Sequence, residues 1–167
     1  CSFRCKLCDE VNIVNNYYII DLIHHKKNHK LQNFYRQNLE IFTYSESLFS
    51  SLPEKNLKDV SPILCRVEQF NDEVLDDLIL HKKESVLALH SSLSLSLLSM
   101  HLQKYMEFKL TDGSTGLIRF YDPRIFRTFN NMLKPIQKEH FWKEIFFVRG
   151  WDDINNDYYI EEFIANV

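Results

Sequence analysis

The chain has 167 residues, 45% of them apolar, with 13 Phe and 8 Tyr; this is enough for one domain with a buried core and unlike a disordered composition. A net charge of −3 without a polarised half argues against a nucleic-acid partner, which needs a basic surface to displace counterions. No uninterrupted run of about 18 apolar residues predicts membrane insertion, and with three glycines there is no GxGxxG or Walker-type phosphate loop and no GxSxG elbow.

The first sixteen residues form an N-terminal segment whose order the sequence leaves open. Its CSFRCKLC run has the spacing of a three-thiolate iron–sulfur motif, but the chain is too short and too poor in glycine for such an enzyme. Cys5 and Cys8, followed after fifteen residues by His24 and His29, also fit a loose zinc spacing, with His25 able to replace His24. Against that, Tyr17–Ile20 serves better as a core strand, and HHKKNHK reads as a solvated basic segment. The zinc site is therefore an alternative, belonging to a small interaction module; the main reading has no metal and no cofactor. No signal peptide is visible, and four cysteines do not make a disulfide scaffold, so a reducing, cytoplasmic setting is expected.

Short apolar runs then alternate with helical patterns. Strands are predicted at Tyr17–Asp21, Glu40–Tyr44, Ile63–Val67, Val86–His90, Glu107–Thr111, Gly116–Tyr121 and Ile145–Val148. Helices are predicted at Asn28–Asn38, Asn71–Lys83, Leu93–Met106 and Pro123–Lys134. This alternation predicts a single α/β domain, a mixed sheet with helices packed against it. Asp112–Gly116 reads as the turn of a hairpin. In Leu93–Met106 the spacing of Leu95, Leu98, Leu102 and Tyr105 favours helix over the local strand-like alternation of Ser91–Leu97.

The stretch GLIRFYDPRIFR, Gly116–Arg127, combines strand and helix signals. Strand alternation would put Leu117, Arg119 and Tyr121 on one face and Ile118 and Phe120 on the other. Asp122 then fits an N-cap and Pro123 the first helical position, so Asp122 reads as a cap in preference to a catalytic acid. In the helix, Ile125, Phe126, Phe129, Met132 and Leu133 share one face; Arg124, Arg127, Asn130 and Asn131 take the other. Arg119, flanked by aromatic residues, calls for a carboxylate or a partner.

This RFYDPRIF stretch, with the helix and aromatic cluster after it, resembles the signature of the type VI secretion adaptors, effector chaperones that load toxins onto the VgrG spike. YYIIDLI, SLFSSLPEKNLKDVSPILCRVE and HLQKYMEFKL resemble other family segments, so the likeness spans roughly residues 17–151. The resemblance implies a non-catalytic, cytoplasmic bacterial protein whose partners are a type VI effector and VgrG. Arg119, Tyr121, Asp122, Pro123 and Arg124 match the family motif. Phe141, Trp142 and Trp151 fall at aromatic positions of the family and, with Arg119 and Arg124, are the partner-binding candidates it implies.

An α/β hydrolase is the remaining alternative. Cys65, Asp122, His81, His90, His101 and His140 supply components but no recognisable spacing, and Cys65 suits a small core residue. After the adaptor domain, 17–151, comes an acidic aromatic segment, 152–167. The sequence WDDINNDYYIEEFIANV, five acids and no bases, suits a surface-binding segment or edge strand, or equally a final strand closing the core.

Overall fold

A computed structural model describes residues 14–21, 44–49, 61–67 and 83–162. The main sheet contains β1 (Asn15–Asp21), β2 (Ser45–Ser47), β3 (Pro62–Val67), β4 (Val86–Ser91), β7 (Ile145–Asp152) and β8 (Asp157–Glu161). Their order is β2-β3-β1-β4-β7-β8. A two-stranded sheet pairs β5 (Glu107–Lys109) with β6 (Thr115–Leu117), and the helices are α1 (Leu95–Gln103), α2 (Pro123–Met132) and α3 (Pro135–Trp142). The α/β expectation holds: one compact body carries a six-stranded sheet with three helices against it. Every described pairing is antiparallel, so the sheet is not mixed in strand direction.

Register explains why the central strands read as unbroken apolar runs. Ile19 lies opposite Leu64 and Leu87, Tyr17 opposite Leu89, and Leu89 opposite Val148. These side chains form one core with Leu98, Leu102, Phe126, Phe129, Phe141 and Trp142 from the helices. Tyr18, Ile20, Cys65, Val86 and Ala88 alternate with them on the opposite face and are also buried. With both faces covered, β1 has little room for polar alternation. Each large apolar side chain so buried contributes about 1.5–3 kcal/mol relative to exposure.

The hairpin turn follows its local chemistry. Asp112 accepts from Ser114 N–H at 2.9 Å and from its hydroxyl at 2.6 Å, and Gly113 adopts a φ of 85°, a left-handed conformation that glycine takes without steric cost.

Four sequence expectations change here. Gly116–Tyr121 is not one strand: β6 stops at Leu117, and Asp122 N–H donates to Arg119 carbonyl at 3.0 Å, closing a turn. That turn buries the consecutive Phe120 and Tyr121, which strand alternation would have separated. At Pro135, where the helix from Pro123 was expected to have ended, a new helix starts; α3 has too few regularly spaced apolar residues to announce itself. Asn130, assigned to the solvent face, is buried, while Ile125 and Met132, assigned to the core, are exposed.

Of segment 152–167, set apart in the sequence, the described residues 152–162 enter the sheet, because Asp152 ends β7 and Asp157–Glu161 forms β8. The predicted helix Asn28–Asn38 lies outside the described residues, as do Asn71–Lys83 except Lys83 and Glu40–Tyr44 except Tyr44.

Candidate functional site

The corner between β6 and α2 gathers the family-motif residues. Asp122 caps α2 as expected, accepting from Arg124 N–H at 3.0 Å. Its backbone carbonyl takes the N–H groups of Ile125 at 2.9 Å and Phe126 at 3.0 Å. Pro123, next in the chain, occupies the first turn, where a missing N–H costs nothing. The Arg124 guanidinium folds back on the same carboxylate in a two-pronged contact, Nε to Oδ1 at 2.9 Å and Nη2 to Oδ2 at 2.6 Å. Such paired contacts combine charge with fixed geometry.

Arg119 finds the carboxylate its setting called for in Asp21, at the end of β1, 2.5 Å from Nη2. Asp21 is fully buried, while the Arg119 side chain keeps 36% exposure and Arg124 46%. The guanidinium of Arg119 also lies over the Tyr121 ring, 5.8 Å from its centroid. The motif thus consists of two buried carboxylates, each answered by a half-exposed arginine, around a buried tyrosine.

The electrostatics follow from this layout. Burial alone would raise the Asp122 pKa, but hydrogen bonds from the Arg124 side chain and backbone, with the charges of Arg124 and Arg119, outweigh it and hold the carboxyl below its ordinary value. A carboxylate kept ionised in this way is poorly suited to general acid chemistry, which needs a raised pKa. Burial, reinforced by the Asp21 charge, pushes the Tyr121 hydroxyl up to about 12. The hydrogen bond from Arg124 to Asp122 raises the arginine further.

The aromatic candidates belong to the core. Phe141 is buried among the rings of Tyr105, Phe129 and Trp142, with centroids at 5.0, 5.4 and 5.6 Å. Trp142 is buried too, and its Nε1 donates to Asn130 Oδ1 at 2.9 Å. Asn130 in turn donates to Glu161 Oε2 at 3.2 Å. Trp151 is buried under Lys83, whose Nζ stands 3.9 Å from its ring centroid. These three rings, partner-binding candidates in the sequence, are buried within the chain itself.

Sequence reasoning missed Asp21, Asn130 and Glu161, which complete these networks. Asp21 gave one usable signal, an acid closing the apolar run YYIID.

Of the catalytic components, Cys65 is buried, and burial pushes its thiol up to about 12, far from the thiolate that nucleophilic chemistry needs. His90 packs edge-on against Phe147 at 4.0 Å. His101 bonds the Phe141 carbonyl at 2.9 Å, and burial lowers its pKa despite that bond.

His101 and His140 lie with Lys104 and Lys143 along a 410 Å³ trough between α1 and α3, lined also by the exposed Leu97 and Met100. The zinc alternative, Cys5, Cys8, His24 and His29, and His81 lie outside the described residues. Among the described residues, no group of three or more His, Cys, Asp or Glu is placed to hold a metal, and no helix is long and apolar enough to cross a membrane.

No curated protein and no solved structure shows significant similarity to the chain. Residues 17–140 match the model of a domain of unknown function, DUF4123. That match takes in β1, whose Asp21 anchors Arg119, and the whole motif corner. It covers well over half of the sequence, and the chain belongs to the DUF4123 family.

Proposed function

We propose that the chain is a non-catalytic adaptor that binds a type VI secretion effector and helps to load it onto the VgrG spike in the bacterial cytoplasm. The resemblance of RFYDPR to the adaptor signature supplies the identity of the partners. The observation that carries the non-catalytic part is the state of the motif itself. Its carboxylates are buried and paired with Arg119 and Arg124, and Asp122 is also bonded to the backbone that turns β6 into α2. Groups tied up in this way build a corner and, among the described residues of the motif, leave no free acid or base.

Exposed apolar surface supports binding as the activity. Leu97 and Met100 lie open on α1, and Ile125 and Met132 lie open on α2, and uncovered apolar surface of this kind is a feature of interaction sites.

The test is to purify the tagged chain from its native host and identify by mass spectrometry what remains bound. The proposal expects a toxin, a VgrG protein or both in stoichiometric amounts. Recovery of the chain free of both, under conditions where the secretion system is expressed, overturns it.

A further inference from the structure

The outer strand of the sheet has the features of a docking edge, and its chemistry identifies what it would accept. Among the described residues, β8 ends the strand order. Its pairing with β7 is regular from Val148↔Glu161 to Asp152↔Asp157. Natural sheets blunt such edges with lysine, proline or a bulge, because open backbone groups invite another strand. β8, Asp-Tyr-Tyr-Ile-Glu, carries neither lysine nor proline, and its register with β7 contains no shift.

The two faces of β8 differ. Tyr159 turns toward the helices: its hydroxyl donates to the Pro123 carbonyl at 2.6 Å, and its ring lies so close over Gly150 that an added Cβ there would stand 2.5 Å from the hydroxyl. Glu161 accepts from Arg127 Nε at 3.2 Å on the same side. Tyr158 and Ile160 alternate to the opposite face and are exposed, Ile160 at 60%.

The turn before β8 is built as firmly. Asp152 accepts from Ile154 N–H at 2.9 Å and Asn155 Nδ2 at 2.7 Å, and Asn156 takes a left-handed φ of 52°. This holds Ile154 out at 93% exposure.

We infer that β8 accepts an extended segment of a partner protein in which basic side chains alternate with apolar ones. The apolar side chains would rest on Tyr158 and Ile160. The charge choice follows from residues 152–162, which hold five acids and no base. Arg127 answers Asp152 and Glu161; Asp153, Asp157 and Glu162 are exposed, Asp153 adding its negative charge near Arg124 and Asp157 accepting from Tyr158 N–H at 2.7 Å. The cations on this face lie inward of β8: Lys83 stacks on Trp151, and Arg149 lies 5.1 Å from the Tyr158 ring centroid. Strand addition draws its affinity from main-chain hydrogen bonds and its selectivity from alternate side chains, and complementary charge fixes partner choice and approach.

The inference rests on the adaptor reading for the existence of a protein partner, and on the edge alone for its location. The probe is a fluorescent octapeptide of alternating lysine and valine, with a glutamate–valine octapeptide as control, titrated against the full chain at physiological salt. Binding of the basic peptide only is expected. An Ile160→Lys, Glu162→Lys double variant with an unchanged melting temperature should weaken it by about tenfold or more. Equal binding of both peptides, no binding, or an unaffected double variant overturns the inference.

Co-purification of the double variant from the native host separates the two readings. If it retains the toxin or spike protein that the parent chain retains, the adaptor reading stands and the edge is refuted. If the parent chain retains neither, the adaptor reading fails whatever the peptides do.

Discussion

The motif corner, Arg119–Arg124, and the outer hairpin, Trp151–Glu162, look alike as sequence, since both mix tyrosine with closely spaced charges. They differ in what answers those charges. In the corner, Asp21 and Asp122 are buried and each meets an arginine. In the hairpin, Arg127 answers Asp152 and Glu161, while Asp153, Asp157 and Glu162 are exposed without a buried ion pair, with Ile154 and Ile160 exposed beside them. Charge density alone does not mark a binding surface; charge left over once the fold has formed its own pairs does. On that ground we propose that the corner serves as architecture and the hairpin as the docking surface.

The contrast predicts a graded series of stability losses, readable by urea unfolding. Trp142→Ala should be the most damaging, about 3–5 kcal/mol, because it removes a buried ring and the donor to Asn130. A loss below 1 kcal/mol would mean that Trp142 is not core, and would return it to the partner-binding candidates.

Arg119→Ala should cost about 2 kcal/mol, less than for a fully buried pair because Arg119 is partly in water, yet substantial because the buried Asp21 carboxylate loses the Arg119 charge. A matched Asp21→Asn, Arg119→Ala pair should recover part of that loss if the ion pair is the cause.

Much of this was legible in the sequence, and the failures share a physical origin. The apolar runs of β1 and β4 announced themselves, since strands covered on both faces need uninterrupted apolar side chains, and those of β3 and β7 did so although Arg66 and Phe146 are exposed. Asp122-Pro123 was readable as a helix start because capping is local. The need of Arg119 for a carboxylate was readable as well, but its identity was not: Asp21 lies 98 positions away, and only the tertiary fold joins them. Asn130 was placed in solvent because a polar residue on a helix usually faces it, and its partners Trp142 and Glu161 come from other elements. Phe120 and Tyr121 misled because two consecutive buried rings in a turn imitate the end of a strand.

Asp122→Ala should cost about 1 kcal/mol as a lost cap, and its pH dependence gives a second handle. The folded pKa lies below the ordinary value, so the contribution is complete above the unfolded value of about 3.9 and is lost as pH falls through the folded pKa. The stability difference between the parent chain and Asp122→Asn should therefore shrink below about pH 4; a constant difference would contradict the ionised cap. Ile160→Lys should be the mildest change, within about 0.5 kcal/mol, since its side chain is largely exposed. A larger loss would show that β8 is part of the core.

The most direct test of the central claim, that the corner shapes the adaptor without touching its partner, is to measure melting temperature and partner retention together in Asp122→Ala. The account predicts a lowered melting temperature, with the toxin or spike protein still retained well below it. An unchanged melting temperature with the partner lost would contradict the account and make the corner the binding site.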